Sequence, residues 1–486
     1  MAQHDVVVVG SGPNGLTAAV VLARAGLSVL VIEGAPTIGG GTRTLALTLP
    51  EFAHDVCSAV HAMAAASPIL SALPLAQHGL EWIEPPIALA HPLDDRPPAL
   101  LRRDLDATAR QLGSDEEAYR SLIAPLATHW DDFATDLLAP LRWPTHPLRL
   151  ARFGRNGLQS ATHLLRRKFK RPETRALLGG VAAHAMQPLA RRGTAAFALI
   201  LTALAHVDGW PFARGGSHAI SDALAACLRK SGGEIVVGQT ITSLRDLPPA
   251  RATLLDVTPR QLMRITGDAL SQRYARALRR FRYGPGIFKV DWALSRPVPW
   301  RSSECAAAGT LHLVGDLDAI ERNDALVARG EHPQSPTVLV AQPSAFDATR
   351  APAGSATLWG YCHVPHGSAV DMLPMVEAQI ERFAPGFRDC VVARHRMNTQ
   401  ELESYDPNIV GGDIGQGANT IRQLFFRPVT RLAPYATSLR GVYLCSSSTP
   451  PGGGVHGMCG YHAARVALHE CFHIRIDDVV PLRPPR

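Results

Sequence analysis

Three glycines near the start of the chain have the spacing of a phosphate-binding turn. Gly10, Gly12 and Gly15 follow four valines at residues 6–9 and open an apolar helical segment over residues 14–25. Gly10 allows a tight turn, Gly12 lets backbone N–H groups approach a pyrophosphate, and Gly15 lets the helix pack closely on the strand. The pyrophosphate would lie at the helix N-terminus, where unpaired N–H groups and the helix dipole favour an anion.

The next strand supplies a carboxylate at the position that a ribose needs. Residues 28–32 predict this strand, and Glu33 ends it. A carboxylate there accepts hydrogen bonds from a ribose diol and disfavours a 2′-phosphate, which argues against NADP. A structural glycine turn is the plain alternative, but the succession of strand, turn, helix and strand favours an adenine dinucleotide.

Two further glycine loops suit the same cofactor. The first, residues 39–44, contains Arg43 and follows Glu33 closely, so it is expected to make a second contact to the pyrophosphate. The second, residues 450–458, lies between a strand segment at residues 441–448 and a helix over residues 459–472. This strand, glycine loop and helix N-terminus can hold the other end of the cofactor.

Composition and charge argue against several classes of partner. The net charge of +7 comes from 49 basic and 42 acidic residues, and arginine greatly outnumbers lysine. The charges look scattered along the chain, with no basic stripe interleaved with aromatic residues, so we predict no nucleic-acid partner. A basic run at residues 166–171 has two interpretations, a solvated helix end or a patch that touches an anionic membrane or an acidic partner.

Cysteine usage and the N-terminus point to a cytoplasmic protein without a metal centre. Eight cysteines occur without a C-x-x-C pair, which argues against a dithiol centre and a structural zinc. The chain enters its first strand directly, without a signal-peptide pattern. His54, Asp55 and His61 lack a second ligand cluster, so we predict satisfied polar contacts, with His61 a weak candidate for the substrate pocket.

These motifs, in this order, make the chain resemble FAD-dependent oxidoreductases, specifically the phytoene desaturase-like family within the flavin amine oxidase superfamily. The resemblance covers nearly the whole chain, and its terminal motifs are the specific ones. It implies FAD as the cofactor. The implied FAD contacts are Gly10, Gly12, Pro13, Asn14, Gly15, Glu33, Gly40, Thr42, Arg43, Ile241, Gly454, Val455 and Met458.

The resemblance implies an α/β fold with a discontinuous Rossmann-like FAD-binding domain, a mixed-sheet substrate domain and a helical cap. Strand and helix periodicity agree with this division. The predicted FAD-binding segments are 1–95, 211–265 and 426–486, with the cap at 96–210 and the substrate domain at 266–425. Within the second segment we predict strands at residues 234–237 and around Ile241 and Leu244.

Two residues are catalytic candidates. Lys289 lies in a predicted strand that looks like the one carrying the flavin-facing lysine of amine oxidases, where it would position water or oxygen; an outward-facing lysine is the alternative. His456, in the C-terminal glycine loop, would act as an acid or base or only bind backbone; His363 is a weaker candidate. The chain departs from the amine oxidase pattern at Gly41, where that pattern has arginine, and at Ser447, where it has an acidic residue.

We therefore predict an enzyme that takes hydride from a largely apolar small molecule, in a desaturation or dehydrogenation. The glycine-rich residues 411–417 lack a preceding strand and a following helix, so no second dinucleotide site is predicted and the electrons would pass to oxygen or a quinone. The alternatives are a reduced-flavin isomerase of a polyene, a flavin-binding interaction protein without turnover, and an NAD-linked dehydrogenase.

Overall fold

A computed structural model of the protein describes residues 4–431 and 433–482. Its strands are β1 Val6–Val9, β2 Val29–Ile32, β3 Thr44–Leu45, β4 His54–Asp55, β5 Trp82–Ile83, β6 Ile87–His91, β7 Ala99–Leu101, β8 Phe212–Ala213, β9 Glu234–Val236, β10 Ala252–Leu255, β11 Gly286–Leu294, β12 Ala308–Leu313, β13 Val338–Ala341, β14 Ala356–Val364, β15 Val391–Met397 and β16 Val442–Leu444.

The α-helices connect these strands and form most of the cap. They are α1 Pro13–Arg24, α2 Ala62–Ala65, α3 Pro68–Ala72, α4 Leu105–Gln111, α5 Glu116–Thr128, α6 Trp130–Leu137, α7 Pro147–Gly157, α8 Ala161–Lys168, α9 Pro172–Ala182, α10 Thr194–Val207, α11 His218–Lys230, α12 Pro259–Thr266, α13 Gln272–Leu278, α14 Ser303–Ala306, α15 Leu317–Ala328, α16 Leu373–Phe383, α17 Thr399–Tyr405, α18 Ile421–Phe425 and α19 Met458–Ala467.

A five-stranded parallel sheet joins the two ends of the chain. Its order is β16-β10-β1-β2-β9, with Val6 opposite both Ala252 and Val29. The four valines of β1 are buried on both faces, as expected for an interior parallel strand covered by helices. Because β16 and β10 come from distant parts of the sequence, the predicted discontinuous Rossmann-like domain is confirmed.

One strand prediction in this domain is wrong. Ile241 lies outside any strand, in an irregular segment, and residues 244–246 form a short 3₁₀ helix. Ile241 is nevertheless buried among apolar side chains on one face of the parallel sheet. Ile241 is therefore apolar because it packs on the sheet from a loop. A short run of apolar residues does not distinguish such a loop from a strand.

A seven-stranded mixed sheet forms the second lobe, in the order β15-β11-β14-β13-β12-β6-β7. It is antiparallel except where β12 runs parallel to β6. The sheet includes β6 and β7, residues 87–101, so the chain leaves the dinucleotide-binding lobe before residue 87, earlier than the predicted boundary at 95.

The two faces of the mixed sheet are chemically different. On β11, Phe288, Val290 and Trp292 point to one face, where they pack in a core that includes residues of α16. Lys289 and Asp291 alternate with them and point to the other face, called here the inner face. The inner face packs against the dinucleotide-binding lobe and the helical cap of α4 to α10.

Candidate functional site

The first glycine turn has the close contacts that only glycine permits. Gly10 has φ +98°, and a Cβ built on Gly15 would lie 2.2 Å from the carbonyl oxygen of Gly10. The amide of Gly10 donates to the carbonyl oxygen of Ile32 at 2.8 Å, which joins the turn to β2. The turn therefore brings the N-terminus of α1 directly above the end of the parallel sheet, where a pyrophosphate would bind.

The second glycine loop closes over the first. A Cβ built on Gly40 would lie 3.2 Å from the Cα of Gly12, and the hydroxyl of Thr42 donates to the carbonyl oxygen of Gly39 at 2.7 Å. Within the described residues, the amides of Gly12, Gly40 and Gly41 have no hydrogen-bond acceptor. Converging unpaired N–H groups of this kind form an anion site, so the residues present fit a dinucleotide pyrophosphate.

The C-terminal loop meets the same helix terminus. A Cβ built on Gly460 would lie 1.9 Å from the carbonyl oxygen of Asn14, so α19 and α1 are in backbone contact. The side-chain Nδ2 atom of Asn14 donates to the hydroxyl of Ser447 at 3.3 Å. The Asn14 Oδ1 atom is buried and has no partner among the described residues. An orphaned acceptor between the two loops is a further sign that a ligand group belongs there.

Glu33 is held in a complete hydrogen-bond set. Its Oε2 atom accepts from the Ser11 amide at 2.9 Å and from the Ser11 hydroxyl, and its Oε1 atom accepts from the Ala35 amide at 2.9 Å. Arg43 Nη2 completes the set at 3.1 Å. A carboxylate offers about four acceptor positions, so a ribose hydroxyl would have to replace one of these donors, and the rotatable Ser11 hydroxyl can move most easily.

Arg43 contacts Glu33 rather than the turn. Its Nε atom donates to the carbonyl oxygen of Thr37 at 3.0 Å, and its guanidinium carbon lies 5.6 Å from the ring centroid of Tyr405. The Arg43 side chain thus holds the carboxylate that is predicted to bind the ribose, and its contact with the pyrophosphate stays a prediction.

The sequence reasoning missed Asp256, which lies beneath the glycine turn. Its Oδ2 atom accepts from the Gly15 amide at 2.9 Å, and a Cβ built on Gly12 would lie at the same distance from it. Burial raises the pKa of Asp256 to about 7, and the nearby carboxylates of Asp406 and Glu33 act in the same direction. A carboxyl group that titrates near neutrality thus lies next to the predicted pyrophosphate site.

Lys289 is fully buried on the inner face. Its ammonium group donates to Asp291, and the Lys289 Nζ atom lies 5.5 Å from the ring centroid of Trp359. Burial raises the pKa of Cys57 to about 12, and the positive charge of Lys289 opposes this rise. Cys57, which lies close enough to Lys289 for that charge to affect its pKa, also packs against Gly41, with 3.8 Å between the Cys57 Cβ and a Cβ built on Gly41. Lys289 therefore lies on the side of the sheet that faces the second glycine loop. The outward-facing alternative is wrong.

An apolar and aromatic surface surrounds this lysine. Tyr361 and Leu339 follow Lys289 in one row across the sheet, and Trp359 meets the Tyr361 ring edge-on at 5.3 Å between centroids. All are buried. The inner face near Lys289 therefore offers contacts for an apolar molecule, with one internal ion pair.

The His456 ring binds the backbone at both ends of its own loop. Its Nδ1 atom accepts from the Met458 amide at 3.1 Å, which leaves Nε2 to donate to the carbonyl oxygen of Gly452 at 3.2 Å. Burial lowers the pKa of His456 to about 4, so the ring is neutral. Both ring nitrogens are thus occupied by backbone, which argues against the predicted acid–base role and for the backbone-binding alternative.

The remaining C-terminal candidates lie where the loop joins α19. Gly454 has φ +130°, and a Cβ there would lie 3.1 Å from the ring of His456. Val455 is partly buried against the main core, and Met458 begins α19. These residues lie together next to the N-terminus of α1, which is where the predicted FAD contacts of the two glycine loops would have to meet.

The inner face also carries a buried group of histidines, of which sequence analysis named only His363, as a weaker candidate. His184 and His312 have their Nε2 atoms 3.2 Å apart, and His363 Nδ1 lies 3.2 Å from Asp324 Oδ1. His312 lies in the row that contains Lys289, three strands and about 14 Å away. Burial lowers the pKa of His184 to about 4 and lowers that of His312 well below its ordinary value, so these two rings are neutral hydrogen-bonding groups.

Comparisons with known proteins agree with this geometry. Residues 8–73 match the family model described as an NAD(P)-binding Rossmann-like domain. The chain is 25% identical over 554 aligned residues to the mouse protein named pyridine nucleotide-disulfide oxidoreductase domain-containing protein 2, covering 96% of this chain and 94% of the relative. It is 26% identical to the hydroxyneurosporene desaturase of Rhodobacter capsulatus, covering 96% and 98%. A solved structure of putrescine oxidase superposes with a TM-score of 0.61 at 17% identity, covering 96% and 98%.

The fold and the converging glycine loops define a flavin-type oxidoreductase, and FAD is its cofactor. Within this class, the chain is similar over nearly its whole length to a carotenoid desaturase, and its fold is that of the flavin amine oxidases. Among the described residues, no helix combines the length and apolar character needed to cross a bilayer.

Proposed function

We propose that the protein dehydrogenates a largely apolar small molecule bound on the inner face next to Lys289. The observation that carries this proposal is the buried Lys289–Asp291 ion pair within an apolar, aromatic surface. A cationic amine substrate needs an unpaired carboxylate or an aromatic ring to face it. Here Asp291 is already paired, and the ring of Trp359 already faces the Lys289 ammonium. The surface thus favours an uncharged substrate over an amine.

The residues of the chain would act by positioning and by excluding water. FAD held by the glycine loops would supply a hydride acceptor for the substrate; the proton lost from the neighbouring carbon and the two electrons would end on oxygen or a quinone, which is reduced to hydrogen peroxide or a quinol. Tyr361, Trp359 and Leu339 would hold the apolar body of the substrate against the sheet. Lys289 would place a hydrogen-bond donor and a positive charge beside the redox centre, where a reduced acceptor acquires negative charge.

Anaerobic flavin bleaching tests this function. The FAD-loaded protein is mixed without oxygen with unsaturated hydrocarbons, and separately with primary amines of matched chain length, while absorbance near ~450 nm is followed. We expect the hydrocarbons, but not the amines, to bleach the flavin. Readmitted oxygen or an added quinone should then restore the absorbance.

Three results would contradict the proposal. Bleaching by amines alone would make the protein an amine oxidase. Turnover of a polyene only with pre-reduced flavin and without an acceptor would favour the isomerase. Stable FAD binding without bleaching by any member of a broad panel would favour a binding protein. As a control, the conservative Leu339→Ile variant should keep the same substrate order, since it preserves the apolar surface.

A further inference from the structure

An arginine-lined groove lies outside the FAD and substrate regions. It encloses about 690 Å³ between α13, the segment that follows it, α18, residues 428–431 and Ser438. None of the residues predicted to contact FAD lines it. Its wall carries five arginines, all exposed: Arg273, Arg280, Arg282, Arg422 and Arg431.

These positive charges have no acidic counterpart. No Asp or Glu lines the groove, and within the described residues none of the five arginines forms an ion pair with a carboxylate. The sequence contains no acidic residue from 269 to 290 or from 414 to 469. Five like charges on one concave wall repel one another, so the groove is poised to accept several negative charges.

The basic run that sequence analysis singled out behaves differently. Arg166 pairs with Asp318 at 2.7 Å and with Glu321 at 2.6 Å, and Arg171 pairs with Glu173 at 3.4 Å. Two of its five positive charges are thus paired within the chain, which weakens the membrane interpretation of that run. The impression of scattered charge does not hold for the groove, because folding brings two separate acid-free segments together.

A buried, unpartnered hydroxyl points to a ligand in the groove. Tyr274 lines it and is 5% exposed, and among residues 4–431 and 433–482 its hydroxyl has no hydrogen-bond partner. Arg431 lies over the Tyr274 ring, with 5.3 Å from its guanidinium carbon to the ring centroid, and donates to the carbonyl oxygen of Ala436 at 2.9 Å. A polar atom left unsatisfied in this position is expected to bond a bound group.

We propose that this groove binds a small molecule carrying two adjacent phosphate groups. Arginine forks match phosphate oxygens and can bind them in pairs, and the Tyr274 hydroxyl would donate to one further oxygen. One phosphate would leave most of the five guanidinium groups uncompensated, and the volume is that of a small-ligand site. The proposal is independent of the proposed dehydrogenase function, since it involves neither FAD nor the inner face.

Titration calorimetry of the FAD-loaded protein with inorganic pyrophosphate tests the proposal. We expect saturable binding that weakens with salt. The variant Arg273→Gln/Arg282→Gln/Arg422→Gln should bind at least tenfold more weakly, since each charged hydrogen bond contributes on the order of tenfold in affinity. Tyr274→Phe, which removes only the unpartnered hydroxyl, should reduce affinity several-fold without loss of folding.

Matched controls and competing ligands make the result decisive. The variant Arg103→Gln/Arg214→Gln/Arg329→Gln changes net charge equally at exposed surface pairs, and it should bind as the wild type does. Equal loss in both triple variants, or no saturable pyrophosphate binding, would overturn the proposal. So would flotation on phosphatidylglycerol vesicles, or oligonucleotide binding, that needs the groove arginines but does not respond to pyrophosphate.

Discussion

The carboxylate of Asp256 accepts a hydrogen bond from the amide of Gly15, with 2.9 Å between oxygen and nitrogen, directly beneath the turn where the pyrophosphate is expected. This places a titratable acid where the cofactor brings negative charge. Burial, together with Asp406 and Glu33, raises the pKa of Asp256 to about 7, so the group changes charge near neutral pH.

FAD affinity should therefore depend on pH. The bound pyrophosphate would raise the pKa of Asp256 further, so binding takes up a proton wherever the free protein has Asp256 ionised. Affinity should be constant well below pH 7 and should fall as pH rises through about 7, by at most about tenfold per pH unit. Fluorescence titration of apoprotein with FAD across this range measures the slope.

The variant Asp256→Asn is the matched test of this relationship. It keeps an acceptor for the Gly15 amide and removes the charge, so FAD affinity should become independent of pH and equal the low-pH value of the wild type. A slope that persists unchanged in this variant would assign the proton to another group.

Removing one partner of the Lys289–Asp291 pair should be strongly destabilising. Both side chains are fully buried, and the nearest other cationic candidates, His54 and His395, lie 3.8 and 3.9 Å from the Asp291 carboxylate. Lys289→Met leaves a buried carboxylate without its partner, and we expect a loss of about 3–5 kcal/mol in the free energy of unfolding by urea.

The double variant Lys289→Met/Asp291→Asn distinguishes the cost of an unpaired buried charge from the net contribution of the ion pair to stability. Removing both charges should recover most of the loss, because the remaining groups are neutral and similar in volume. If Lys289→Met alone unfolds like the wild type, the buried ion pair does not describe the protein in solution. Flavin reoxidation by oxygen should be slow in both variants if Lys289 faces the redox centre.

Local patterns predicted the parts of the site that lie close together in sequence. The valine run, the glycine turn and Glu33 span fewer than thirty residues, and each follows from backbone requirements of a strand, a tight turn or a strand end. The strand around Lys289 is likewise predicted, because a nine-residue apolar strand leaves a strong period-two pattern.

The parts that escaped prediction depend on tertiary contacts. Asp256 lies 241 residues after Gly15, and His312 meets His184 across a separation of 128 residues. The local periodicity of a sequence does not predict contacts between residues so far apart in the chain. Ile241 shows the converse error, since its burial was expected within a strand but comes from a loop packed on the sheet.

His456 should behave as a positioning residue. Its two ring nitrogens bind the Gly452 and Met458 backbone, and its pKa of about 4 keeps it neutral through the working range. His456→Ala should weaken FAD binding by about tenfold through loss of two hydrogen bonds, while the shape of the pH–rate profile stays unchanged. Loss of one limb of that profile with normal FAD binding would instead make His456 an acid or base.

The contact between α1 and α19 predicts that one methyl group will disrupt the cofactor site. In Gly460→Ala the new Cβ would lie 1.9 Å from the carbonyl oxygen of Asn14 and 3.0 Å from the amide nitrogen of Ala18, so the two helices must separate. We expect a loss of about 1–3 kcal/mol in unfolding free energy and a reduced FAD content after purification.

Gly154→Ala, in α7, is the matched control, because its nearest contact would be 3.9 Å away. That change should leave FAD content intact and raise stability by up to about 1 kcal/mol through helix propensity. Normal FAD content in Gly460→Ala would mean that the two helices do not touch at this point.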